Sequence, residues 1–235
     1  MPTGELSHLL LATAVFLGIH IVPSSVLRGA ITGVIGERAY TALYSLLSIA
    51  GIVWMVMAFN AAGPGPVLWY NPGPLQYLSA ILVLVALVIG FGGLTQPSPT
   101  AMGGGGIAAG ADPAHGFQRI SRHPFMTSVV VWGIAHLIVR GDLRAIIFFG
   151  GFTVLAAVGT LLIDAKQKAR RGADWNRYAA VTSVIPFLAI LSGRNRLSLR
   201  EIGWWRPLVA IVIWAAIMHF HAALMGVYPI PMHGG

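Results

Sequence analysis

Eight histidines and no cysteine, in a chain with only 15 Lys/Arg and seven Asp/Glu, define the available chemistry. His20, His136, His219 and His221 fall within or at the edge of long apolar runs. His123 opens another run in the tripeptide Arg122-His123-Pro124. An imidazole in hydrocarbon is costly unless it faces the protein interior and has a partner. One such histidine means little, because a helix-packing hydrogen bond accounts for it. Several, at the ends of different runs, point to metal ligands or a proton path. The absence of cysteine excludes disulfides, thiolate ligation and iron–sulfur clusters. His219 and His221 have no nearby Asp, Glu or third histidine to complete a tetrahedral zinc site. His8, His115 and His233 sit in or beside polar ends and loops and are read as structural or solvated.

The elements that position these groups are apolar helices. The chain is 56% hydrophobic and 9% charged, where about 25% charged is usual for a globular protein. Uncharged stretches near 6–22, 40–62, 75–94, 124–139, 145–163 and 207–230 follow one another. A membrane span needs about 20 residues, so five of these qualify and the fourth is slightly short. The expectation is an all-α integral membrane bundle of about six transmembrane helices, forming one membrane domain over 1–235. A further uncharged stretch, 179–192, is interrupted by Pro186 and too short to span. It is expected at the interface or as a re-entrant segment.

The net charge of +8 follows membrane topology and not nucleic acid. Taking the basic residues loop by loop places 13 on one side and two, Arg140 and Arg144, on the other. The positive-inside rule then puts both termini outside and the long basic fifth loop in the cytoplasm, in a bacterial inner membrane. The N-terminal residues lack the positive region of a signal peptide, so the first helix is expected to stay. Gly63-Pro64-Gly65-Pro66 and Asn71-Pro72-Gly73-Pro74 bracket Trp69 and Tyr70, which suit an interfacial belt. The run Gly103–Gly106 follows no strand and lacks a Lys-Ser/Thr ending, so it reads as a flexible connection and not a phosphate cradle.

Helix geometry limits which histidines share an iron. His123 and His136 are 13 residues apart, about 20 Å of rise, and cannot ligate one metal on a straight helix. The orientation puts His20 and His123 near the cytoplasmic ends of their helices, and His8, His136, His219 and His221 near the outer ends. An inner pair, His20 with His123, and an outer pair, His136 with His221 or His8, result. Bis-histidine haem b in a helical bundle fits these residue types. Arg119 and Arg122 precede the fourth span, where they are suited to haem propionates, a lipid phosphate or an adenosyl carboxylate, or to fixing orientation alone.

The stretch Gly116-Phe-Gln-Arg119-Ile-Ser-Arg122-His123-Pro124, followed by Trp132-Gly-Ile-Ala-His136, resembles the NnrU family, which includes 15-cis-zeta-carotene isomerases. Supporting matches are His20 before Leu27-Arg28, then Gly36-Glu37-Arg38-Ala39-Tyr40, Trp175, Thr182-Ser183, Pro186-Phe187, Gly193-Arg194 and His221. The resemblance implies an integral membrane protein. In the isomerase branch it implies a haem b whose redox state gates a cis–trans isomerisation, with iron ligands corresponding to His20 and His136. That branch has a cysteine three residues before the second histidine, where this chain has Gly133. On depth alone His123 is the alternative partner of His20.

The leading expectation is a haem-linked redox role in nitrite and nitric-oxide respiration, with nitric oxide as ligand and a respiratory complex as partner class. Zeta-carotene isomerisation comes second, and an apolar interior suits a carotenoid or a quinone equally. As an enzyme the chain reads as a haem-dependent isomerase or oxidoreductase acting on a lipid-soluble or small-gas substrate. Arg-His-Pro after a glycine-rich loop, with Trp175, Tyr178 and Pro186 following, also resembles isoprenylcysteine-type membrane methyltransferases. The acidic residues of their cofactor segment are reduced here to Asp164 and Asp174.

Overall fold

The computed structural model describes residues 3–25, 27–100 and 112–231; the Gly103–Gly106 run and His233 lie outside them. Helices α1 (Thr3–Ser25), α2 (Arg28–Ile35), α3 (Glu37–Ala61) and α4 (Pro74–Thr95) come first. Then follow α5 (Phe117–Ile120), α6 (Pro124–Val139), α7 (Leu143–Arg171), α8 (Ala173–Val181), α9 (Leu188–Leu191), α10 (Leu199–Ile202) and α11 (Trp205–Met225). Two short strands, β1 (Val67–Tyr70) and β2 (Arg140–Asp142), pair antiparallel. Among the described residues, five helices are long and apolar enough to cross a membrane: α1, α3, α4, α7 and α11. The shorter apolar α6 is the sixth element of the expected set. The chain is an all-α membrane helix bundle, relieved by one two-stranded ribbon, and a multi-pass membrane protein.

Helix ends follow local chemistry. At the start of α4, Pro74 has no N–H to satisfy, and Gln76 Oε1 accepts the Gly73 N–H at 3.0 Å. The last helix stops at Met225, short of the expected residue 230. Gly226 there adopts φ +71° and donates its N–H to the Ala222 carbonyl, and Pro229 and Pro231 follow. Helix α7 runs eight residues beyond the apolar stretch read from sequence, through Asp164 and Lys166 to Arg171. Charged residues end a span but not a helix, and only Gly172 at φ +53° ends this one. The stretch 179–192 is not one helix. It holds the end of α8, an irregular turn through Phe187 at φ +64°, and α9.

The chain forms two compact units, each assembled from separate segments. The first comprises residues 1–71 and 136–155. Within it α1 packs along α3, with the Phe16 ring lying where a Cβ on Gly51 would stand. Thr13 of α1 lies closer still to Gly151 of α7, 2.6 Å from its Cβ position. The β1–β2 ribbon closes one end: Trp69 Nε1 donates to the Leu137 carbonyl at 2.7 Å, and its indole covers Gly141. Val67, Leu68 and Tyr70 remain exposed.

The second unit comprises residues 72–135 and 156–235. Here α11 packs along α4, and Trp214 Nε1 donates to the Ala80 carbonyl at 2.9 Å. Ser128 of α6 approaches Gly90, and the Phe117 ring of α5 lies over Gly92. Ile89, Phe117, Ile120 and Ile202 form one apolar core, and Ala114, Trp175 and Tyr178 another.

Candidate functional site

His20 lies on α1 and donates Nδ1–H to the Phe16 carbonyl, one turn back, at 2.8 Å. In the neutral ring that bond leaves Nε2 as the nitrogen bearing the lone pair, which is the tautomer a metal ligand needs. Phe16 covers the imidazole at 4.2 Å between centroids, and Tyr44 of α3 meets it edge-on at 5.5 Å. From Phe16 a run of ring contacts continues along α7 through Phe152 (5.4 Å), Phe148 (5.2 Å) and Phe149 (5.2 Å). It ends at His136, stacked on Phe149 at 4.3 Å and 12°. Four phenylalanine rings thus stand along the path between the two imidazoles.

Depth along the helices is set by two contacts. Leu6 and Leu143 both meet the Cβ position of Gly65, and Thr13 meets that of Gly151, so α1 and α7 run in parallel and in step. With a rise of about 1.5 Å per residue, the His20 and His136 rings differ in depth by roughly 13 Å. The residues fit a haem in kind: two half-buried imidazoles, one with its tautomer fixed, in an aromatic setting with no thiolate. Side-chain movement alone does not bring the two imidazoles to one iron: sharing it requires α1 to shift along α7 by several residues as well as displacement of the Phe16 and Phe152 rings.

His8, also in the first unit, accepts the Trp54 Nε1–H at 2.8 Å, and the other expected ligands belong to the second unit. His123 is completely buried; its Nε2 donates to Asp164 Oδ1 at 2.7 Å, and its Nδ1 has no hydrogen-bond partner among the described residues. Arg122 Nη1 donates to the other Asp164 oxygen. Its Nε goes to Thr182 Oγ1 at 3.0 Å, and its Nη2 to the carbonyls of Ala179 and Thr182 at 3.0 and 3.2 Å. Trp175 lies 5.8 Å beneath its guanidinium. Tyr178, whose hydroxyl donates to the Arg122 carbonyl, is fully buried, and that burial pushes its ionisation up. His221 donates Nδ1–H to the Val227 carbonyl at 2.8 Å, fastening the turn after α11, and His219 meets Phe220 at 4.7 Å.

Arg119 is equally committed. Nε and Nη2 form a two-pronged bond to Glu201 at 2.7 and 2.9 Å; Nη1 reaches Asn195 Oδ1 and Nη2 also reaches Asp112. The Arg119 fork and the Gly116 N–H hold the Glu201 carboxyl down at about 2, and Glu201 in turn raises the Arg119 guanidinium. Both arginines therefore spend nearly all their donors on the protein itself. Among the described residues no group of three or more His, Asp or Glu is placed to hold a bare metal ion.

The family model described as NnrU protein matches residues 8–229. The chain belongs to the NnrU family. It is 29% identical over 200 residues to a chloroplastic 15-cis-zeta-carotene isomerase of Zea mays, covering 80% of this chain and 52% of that protein. It is 30% identical over 167 residues to the Arabidopsis thaliana protein of the same name, covering 68% of this chain and 44% of that protein. The chain spans about half the length of the curated relatives it matches. No solved structure matches. In this NnrU chain Gly133, the residue at the isomerase-type cysteine position, is buried in α6 one turn before His136.

Asp164, Glu201 and Tyr44 are the residues that sequence reasoning passed over as site-builders. Acid scarcity was the available signal. With seven acidic residues in the chain, any carboxylate at a span end is a candidate partner for a buried Arg or His. Asp164 was weighed only as a cofactor-segment acid of a methyltransferase; it is instead bound by His123 and Arg122, while Asp174 pairs with Arg177 at 2.7 Å.

Proposed function

We propose that this NnrU protein binds haem b and catalyses cis–trans isomerisation of a long apolar polyene of the zeta-carotene class, with His20 and His136 as the iron ligands. The similarity to 15-cis-zeta-carotene isomerases over 80% of the chain carries this reading. The aromatic run from His20 to His136 supports it, because rings without polar atoms suit a polyene and exclude water. The reading keeps the chain in a bacterial cytoplasmic membrane with both termini outside, on the asymmetry of its basic residues.

A bound haem, held by His20 and His136, would supply a redox-active iron centre able to polarise a double bond. The residues of the chain prepare for it. The Phe16 carbonyl holds the proton on His20 Nδ1, so Nε2 is presented unprotonated. Phe149, stacked flat on His136, fixes the plane of that imidazole. Phe148 and Phe152 keep the space between α1 and α7 apolar. Arg119 and Arg122 are held by Glu201 and Asp164, so their work is to fasten the segment leading into α6.

Gly133 favours a second reading. A chain without the isomerase-type cysteine has no thiolate to exchange with His136, which suits a haem-linked redox role in nitrite and nitric-oxide respiration with a respiratory complex as partner. Expression in cells accumulating 9,15,9′-tri-cis-zeta-carotene, with chromatography of the pigments in the dark, separates the two. Formation of the 9,9′-di-cis isomer, lost on His20→Ala, is the expected result. No conversion, with a reduced haem that binds nitric oxide, replaces it with the second reading.

A further inference from the structure

Within the first unit the surroundings of His20 form a continuous chain of restraints that reaches the protein surface. Arg28 and Glu37 pair at 2.9 Å, with their side chains 30% and 66% exposed. The Arg28 guanidinium lies 4.9 Å over the Tyr40 ring, which is itself buried. Tyr40 and Tyr44, one turn apart on α3, stack at 6.0 Å and 15°. Tyr44 then meets the His20 imidazole edge-on at 5.5 Å, on a ring whose face is already covered by Phe16.

A histidine with one nitrogen bonded to a backbone carbonyl has its tautomer and mean ring orientation set, and neighbouring rings limit the remaining libration about χ2. The Phe16 carbonyl fixes the tautomer and orients the ring, and the edge contact with Tyr44 damps its remaining libration. Neither tyrosine needs its hydroxyl for this, so phenylalanine should substitute for Tyr44 and leucine should not. Arg28 and Glu37 seat the stack from outside: the cation holds Tyr40 by its face, and the carboxylate holds the cation. An exposed ion pair is weak alone, but here it closes a sequence of ring contacts on a histidine.

We propose that Tyr44 is a positioning residue for His20, held in place through Tyr40 by the Arg28–Glu37 pair. As a statement about iron ligation this rests on the haem reading above; as a statement about the imidazole it does not. The test therefore has two readouts on the full chain in detergent. One is carbethoxylation of His20 by diethyl pyrocarbonate, followed by mass spectrometry of the His20 peptide in haem-stripped protein. The other is the low-spin ferric spectrum of the protein as purified from haem-replete cells.

Tyr44→Leu is expected to speed His20 modification about fivefold, the scale of one lost ring contact, and to broaden the low-spin spectrum. Tyr44→Phe is expected to match wild type in both. Arg28→Gln is expected to fall between them, and it carries the test if the leucine variant does not fold. Equal His20 reactivity in Tyr44→Leu and wild type overturns the proposal, as does equal reactivity in Arg28→Gln where the leucine variant is lost. A colourless wild type in which Tyr44→Leu still speeds modification removes the haem reading and leaves the positioning role standing. A coloured wild type with an unchanged Tyr44→Leu does the reverse.

Discussion

His123 donates its Nε2–H to Asp164 across 41 residues of sequence, at 2.7 Å, while the neighbouring Arg122 takes the other oxygen of the same carboxylate. One acid of α7 therefore fastens both residues of the Arg-His pair that precedes α6, and Arg122 carries the tie on to Thr182 after α8.

Removing that acid should unlock the segment. Asp164→Ala leaves a buried guanidinium and a buried imidazole without their partner, a loss on the order of 3 kcal/mol. His123→Ala alone should cost less, because Arg122 still satisfies the carboxylate. The double variant should lose little more than Asp164→Ala, since the pair shares one interaction. Thermal unfolding of the purified detergent-solubilised variants checks the ranking. Additive losses would show that His123 and Asp164 act separately.

The Arg119–Glu201 fork gives a pH dependence whose sign is fixed. The Glu201 carboxyl sits at about 2 in the folded chain against 4.5 ordinarily. Its stabilisation is therefore fully present above pH about 4.5 and fades as pH falls toward 2. Glu201→Gln should be less stable than wild type by a constant margin between pH 8 and about 5. That margin should shrink below pH 4.5. A margin that grows on acidification would contradict the assignment.

The expected spans were legible because a hydrocarbon interior enforces one rule on every helix: a long run without charge. That rule located α1, α3, α4, α6, α7 and α11 within a few residues at most ends. It overshot the end of α11, where Gly226 and not hydropathy decides, and it stopped α7 at its first acid although the helix continues. The β1–β2 ribbon escaped because its strands lie 70 residues apart and each is only three or four residues long. Arg119 and Arg122 were recognised as chemically important from their place before α6. Their partners Glu201 and Asp164 were not, because pairings across 82 and 42 residues are products of packing and leave no local pattern.

Helix α6 has 16 residues, about 24 Å, against roughly 30 Å of hydrocarbon. Crossing is therefore the point to check for this helix alone. Reporter fusions at Leu68 and Asn195 should report opposite sides, because α4, α6 and α7 lie between them. Reporters on one side would mean that α6 dips without crossing.

The central claim is that His20, with its proton fixed on Nδ1 by the Phe16 carbonyl, presents Nε2 to a haem iron. The direct measurement is the absorption spectrum of protein purified in detergent from haem-replete cells, oxidised and dithionite-reduced, with haem quantified as its pyridine haemochrome. The account predicts a stoichiometric b-type haem with a sharp low-spin Soret band that shifts on reduction, lost in His20→Ala and converted to high-spin or lost in His136→Ala. A colourless wild type, or a His20→Ala variant that keeps the full low-spin spectrum, would contradict it.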